Sequence, residues 1–268
     1  MTRAAPHRAR PGKSDDHVTI LRKLYHRMTR LLGAAPQDVA NLIEYGRKGP
    51  IAGERIWIDP RDVRHVVAPH PAECGIGSDC PDYRRQCQLR ARSRRLAGRV
   101  IGREIEEFDI LPLSVVTKIE ACRRRWQDGV SWEAAGAIDA LMFKITTTGA
   151  PQSGCHTRQD VIQRYRKLDE IFETVTAEGR LRSRRRRKTG FLREPDGVQI
   201  HLGRNGALLF GATGTHRLAM ARVLGLARIP ASLGFVHESA LDLLPGLRGA
   251  DSPLMHAPIA ALQLARSR

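Results

Sequence analysis

The residues of this chain best suited to chemistry lie in one short run, Thr213-Gly214-Thr215-His216-Arg217. It sits between the apolar stretch Ala207–Phe210 and a helix-like segment that stops at Gly225. Each residue type fits the binding of a phosphate. Gly214 lets backbone N–H groups approach phosphate oxygens without a Cβ in the way. Thr213 belongs to the same turn, and the Thr215 hydroxyl can donate a hydrogen bond. Arg217 offers a two-pronged guanidinium that stays charged at any cellular pH. His216 can donate to a phosphate oxygen or carry a proton near neutral pH, which makes it the candidate catalytic residue. A turn that presents N–H groups and an Arg at the mouth of a helix is a phosphate-binding arrangement, strengthened by the partial positive charge of the helix start. The plain structural alternative has His216 capping the helix and Arg217 making a surface pair.

The flanking elements that must hold this turn are legible. Val198-Gln199-Ile200-His201-Leu202 alternates apolar and polar residues, predicting a half-buried strand. Gly203-Arg204-Asn205-Gly206 predicts a tight hairpin turn, with Ala207–Phe210 as the returning strand. A helix over about 216–224 and a strand over 229–235 follow. This order of strand, Asn-Gly hairpin, strand, Gly-polar-His-Arg turn, helix ending Leu-Gly-Leu, then Ile-Pro and a strand resembles the ParB/sulfiredoxin superfamily. The similarity covers about residues 197–237. Gly214, His216 and Arg217 align with the glycine, histidine and arginine of the sulfiredoxin-type turn, and Gly225 with the glycine that usually ends the helix.

The resemblance implies an α+β fold: a small mixed sheet of ParB/sulfiredoxin type, with a large helical insertion and an N-terminal helical arm. It implies a nucleotide or a phosphorylated small molecule as ligand. Relatives of this type include small-molecule kinases, CTP-dependent DNA clamps and sulfiredoxins, so the fold does not choose an activity. Sulfiredoxin chemistry is excluded because Thr215 stands where that family has its reactive cysteine, and a hydroxyl cannot replace a thiolate in attack on an oxidised sulfur. The expectation is therefore a nucleotide- or phosphate-binding protein, a kinase or NTPase, with a nucleoside triphosphate and Mg²⁺ as cofactor. Mg²⁺ needs carboxylates, and Glu54, Asp59, Glu194 and Asp196 are the candidates near the sheet.

The rest of the chain divides as follows. Residues 1–16 form a tail that is expected to be disordered and lacks the apolar centre of a secretory signal, which points to a cytoplasmic protein. Residues 17–50 form the helical arm, with helices over 18–32 and 36–45; Val39, Leu42 and Ile43 form the apolar face of the second. The principal domain spans 51–240. It contains strands near 55–60 and 99–101, and a helical insertion over about 113–180. Within that insertion the spacing predicts helices over 113–127, 131–145 (capped by Ser131) and 157–178, the last with Val161, Tyr165, Leu168, Ile171, Phe172 and Val175 inward. Trp57, Trp126 and Trp132 are expected in the core. Residues 241–268 form a C-terminal tail.

The net charge of +17 favours polyanionic partners, although only seven of the 45 basic residues are lysine, an arginine bias that composition alone produces. Seven of the nine residues Arg180–Lys188 are basic. Arg184, Arg185, Arg186, Arg187 and Lys188 are the nucleic-acid contacts expected if the chain binds DNA, the second functional reading. A third is a non-catalytic nucleotide sensor. The absence of a long apolar run predicts no membrane helix. Five cysteines without a signal peptide argue against a disulfide framework. Cys74, Cys80 and Cys87 lack the spacing of a zinc knuckle, and no metal site is assigned.

Overall fold

The computed structural model describes residues 36–68, 95–183, 193–194, 197–211 and 213–249. The expected helix over 18–32, the three cysteines at 74–87, and Arg184–Lys188 with Asp196 lie outside these residues. The fold is mixed α+β. Among the described residues seven strands form one mixed sheet: β1 (Arg55–Ile58), β2 (His65–Ala68), β3 (Val100–Ile101), β4 (Asp109–Pro112), β5 (Val198–Leu202), β6 (Leu208–Phe210) and β7 (Ile229–His237), in the order β1-β7-β5-β6-β2-β4, with β3 pairing the far end of β7. The helices are α1 (36–45), α2 (Thr117–Trp126), α3 (Ala137–Thr148), α4 (Arg158–Glu178), α5 (Thr215–Val223) and a last turn, α6 (Leu244–Leu247). Helices α2 to α4 lie between β4 and β5 in the chain, and α5 carries the chain from β6 to β7. Among the described residues no helix is long and apolar enough to cross a membrane.

The β5–β6 hairpin forms as its turn residues predict. Asn205 (φ 54°) and Gly206 (φ 81°) take left-handed conformations, and the Gly203 N–H donates to Ala207 O at 2.8 Å. The half-buried reading of β5 does not hold, because all five of its residues are buried. Val198, Ile200 and Leu202 join the main core with Leu218 and Met220 of α5. On the other face His201 stacks on Phe235, ring centroids 4.0 Å apart, beside a second apolar cluster of Val67, Ile101, Ile105 and Leu209. The β5–β7 register shifts here, and His201 Nδ1 accepts the Phe235 N–H at 3.0 Å. Only a glycine fits opposite: a Cβ at Gly234 would lie 1.9 Å from His201 Nδ1.

Three further expectations are corrected. Helix α1 forms, but Val39 and Ile43 are exposed and the buried residues are Asp38 and Asn41. Polar contacts dock this helix: Asn41 Nδ2 donates to Pro50 O (2.7 Å) and Gly98 O (2.6 Å), while Asp38 accepts from Ala52 N (2.8 Å) and pairs with Arg193. Helix α3 starts at Ala137 rather than Ser131, because Gly136 at φ 76° interrupts the path; the Ser131 hydroxyl instead accepts from Ala134 N within the preceding turn. Trp57 is only partly buried, and the guanidinium groups of Arg55 (5.5 Å) and Arg228 (5.2 Å) lie over its ring.

Helix α4 begins as expected, with Thr157 and Asp160 forming a reciprocal capping box. Its Asp169 ties the helical layer together. That carboxylate accepts from the indole N–H of Trp126 (2.9 Å) and of Trp132 (3.1 Å), and pairs with Arg125 at 2.8 Å. Trp126 stacks flat on Phe172 at 4.7 Å. These contacts fix α4 against α2, and so fix the wall that α4 presents to the start of α5.

Candidate functional site

Gly214 is the N-cap of α5, at φ 81°, and no side chain caps the helix. Leu218 N–H makes the first bond back, to Gly214 O at 3.0 Å, so the N–H groups of Thr215, His216 and Arg217 precede the intrahelical ladder. The turn is anchored to the sheet by Gln199 N–H donating to Thr213 O at 3.1 Å. Gly214 is required for a reason the sequence did not display. A Cβ there would lie 2.7 Å from Gly197 O and from Val198 Cα, so its bare backbone is pressed against the start of β5.

Gly214, Thr215, His216 and Arg217 all line one cavity of about 570 Å³, whereas Thr213 stays on its sheet side. Four cationic residues that sequence reasoning did not assign to the site join them: Lys118 from α2, Arg164 from α4, and Arg180 and Arg182 from the segment after α4. Arg217 Nη2 donates to Arg182 O at 2.6 Å, which ties the basic segment to the mouth of α5. One signal in the sequence marks this wall. Arg164, Leu168, Ile171, Val175 and Glu178 recur at helical spacing, and all five line the cavity from α4. Ile171, expected inward, is 47% exposed because it faces this opening rather than the core.

His216 is neither a cap nor a surface residue. Its ring stands edge-on to Tyr165, centroids 6.2 Å apart, and its Nε2 is buried with no hydrogen-bond partner among the described residues. Burial first, then the neighbouring Lys118 and Arg164 charges, push its pKa down to about 3. The imidazole is therefore neutral at pH 7. This corrects the expectation of a proton carrier titrating near neutrality: in this setting His216 is a neutral hydrogen-bonding ring.

The carboxylates among the described residues do not fit Mg²⁺. Among the described residues the one carboxylate lining the cavity, Glu178, has both oxygens taken by Arg182, at 2.6 and 2.7 Å. Glu54 is buried and paired with Arg248, and Asp59 accepts from Arg61 through both oxygens (3.0 and 2.5 Å). Glu194 accepts from the Ser183 hydroxyl. No group of three or more His, Cys, Asp or Glu side chains poised for a metal occurs among the described residues. Cys122 is buried, with its thiol pushed up to about 12 by desolvation, so it carries no thiolate at neutral pH.

No protein-family model, curated protein or solved structure matches this chain.

Proposed function

We propose that this chain binds a phosphorylated ligand, a nucleotide or a phosphorylated small molecule, in the cavity at the start of α5. The observation that carries the reading is the convergence of a helix N-terminus with five cationic side chains and a neutral histidine whose buried Nε2, like the helix start, lacks a side-chain partner among the described residues. A buried polar atom left unpaired costs about 1–3 kcal/mol, and a ligand that supplies the missing bond recovers it. The N–H groups of Thr215 to Arg217 and the Arg217 guanidinium suit the oxygens of a phosphate. The Gly-Thr-His-Arg turn that resembles the ParB/sulfiredoxin superfamily supports the same ligand class. No chemical step is assigned to His216.

The test is a thermal-shift panel of nucleoside mono-, di- and triphosphates, sugar phosphates and inorganic phosphate. A ligand at 100 times its Kd stabilises the fold by about 2.7 kcal/mol. The reading expects a saturable rise in Tm that Arg217→Ala removes. A panel in which no phosphate compound raises Tm would overturn it.

A further inference from the structure

We infer that the ligand of this cavity enters as a free anion without a divalent cation, and that it is a phosphate ester carrying an apolar or aromatic body. This rests on the phosphate-binding reading above and narrows it to a substrate class.

The first half follows from charge. Among the described residues Lys118, Arg164, Arg180, Arg182 and Arg217 bring five cations to the cavity, against the single carboxylate of Glu178. Both oxygens of that carboxylate are held by Arg182. A phosphate arriving with Mg²⁺ would have most of its charge cancelled before meeting the guanidinium groups. The metal would meet like charge and, among the described residues, no carboxylate that is not already paired, although it demands a nearly complete octahedron of oxygens. The free anion keeps its full attraction to the site. Arginine and lysine here do the neutralising work that Mg²⁺ does in carboxylate-bearing phosphate sites.

The second half follows from the apolar part of the lining. Leu168, Ile171, Val175, Leu181 and Met220 line the same cavity. Leu168 and Ile171 keep apolar area exposed to the cavity, which a bare inorganic anion would leave wet. The volume of about 570 Å³ lies within the range of pockets that enclose a ligand of nucleotide size, and far exceeds the needs of phosphate alone.

Isothermal titration of the full chain with ADP and with pyrophosphate, each in EDTA and in excess Mg²⁺, tests both halves. The expected result is ADP binding in EDTA at least as tight as in Mg²⁺, and pyrophosphate at least tenfold weaker than ADP. Ile171→Ala should weaken ADP about three- to tenfold and leave pyrophosphate unchanged. Its side chain is half exposed, so this variant keeps the core intact. ADP binding that falls more than tenfold in EDTA would overturn the inference while leaving the phosphate-binding reading standing. Pyrophosphate binding as tight as ADP would overturn the second half. Silence of both probes under both conditions would overturn this inference and count against the parent reading as well.

Discussion

Replacing His216 by phenylalanine separates a binding histidine from a structural one. If Nε2 is held unpaired for a ligand, the ligand-free protein bears its desolvation cost, about 1–3 kcal/mol. Phenylalanine removes the polar atoms and keeps an aromatic edge toward Tyr165, whose ring lies 6.2 Å away. The six-membered ring is slightly larger, and overpacking returns about 1 kcal/mol of cost. The net expectation is a ligand-free protein between unchanged and about 2 kcal/mol more stable. For a chain of this size that corresponds to a Tm from unchanged to roughly 6 °C higher. The same variant should lose the Tm rise that a phosphate ligand gives the parent protein. Differential scanning fluorimetry with and without ligand reads both. A variant that melts several degrees below the parent and still responds fully to ligand would refute the reasoning, because it would make the imidazole a structural element.

Three other perturbations have defined outcomes. Arg248 is buried, pairs with Glu54 and donates to Arg47 O and to Gly49 O (2.8 Å); Arg248→Ala leaves the buried Glu54 carboxyl without its partner and should cost about 3–5 kcal/mol in a urea melt. Gly214→Ala forces a side chain into φ 81° and against Gly197 O and Val198 Cα, so a loss of about 1–3 kcal/mol is expected, together with weaker ligand binding. His201 and His216 both have folded-state pKa values lowered to about 3 by burial, below the ordinary 6.5. Between those values the unfolded chain binds more protons, so their stabilisation is complete above about pH 6.5 and is lost as pH falls toward 3. Each contributes a slope of up to about 1.4 kcal/mol per pH unit. Urea melts from pH 7 to 4 should show this slope, and His201→Gln should reduce it by one histidine's share.

What the sequence disclosed and what it hid divide along physical lines. The hairpin of β5 and β6, helix α5 and strand β7 were readable because local signals set them: Asn205-Gly206 needs φ above zero, and the apolar residues keep a regular period. The turn at Gly214 to Arg217 was readable for the same reason. Its partners were not. Lys118 and Arg164 sit on helices about 100 and 50 residues earlier in the chain, and only the packing of α2 and α4 against α5 brings them to one cavity. In the sequence each is one more cation in an arginine-rich chain. The burial of Asp38 and Asn41 in place of Val39 and Ile43 failed to show for a related reason. Backbone carbonyls of distant loops decide which face of α1 turns inward, and hydrophobic periodicity carries no record of them. The neutral state of His216 likewise depends on burial and on charges from two other helices.

The central claim is a location: a phosphate at the start of α5. A crystal structure of the chain with bound ADP measures it directly. The account predicts phosphate oxygens within hydrogen-bonding distance of the N–H groups of Thr215 to Arg217 and of the Arg217 guanidinium, with the adenine against Ile171 and Val175. Phosphate lodged instead in the cleft beside Arg123 and Arg222, another cavity along α2 and α5, would contradict it.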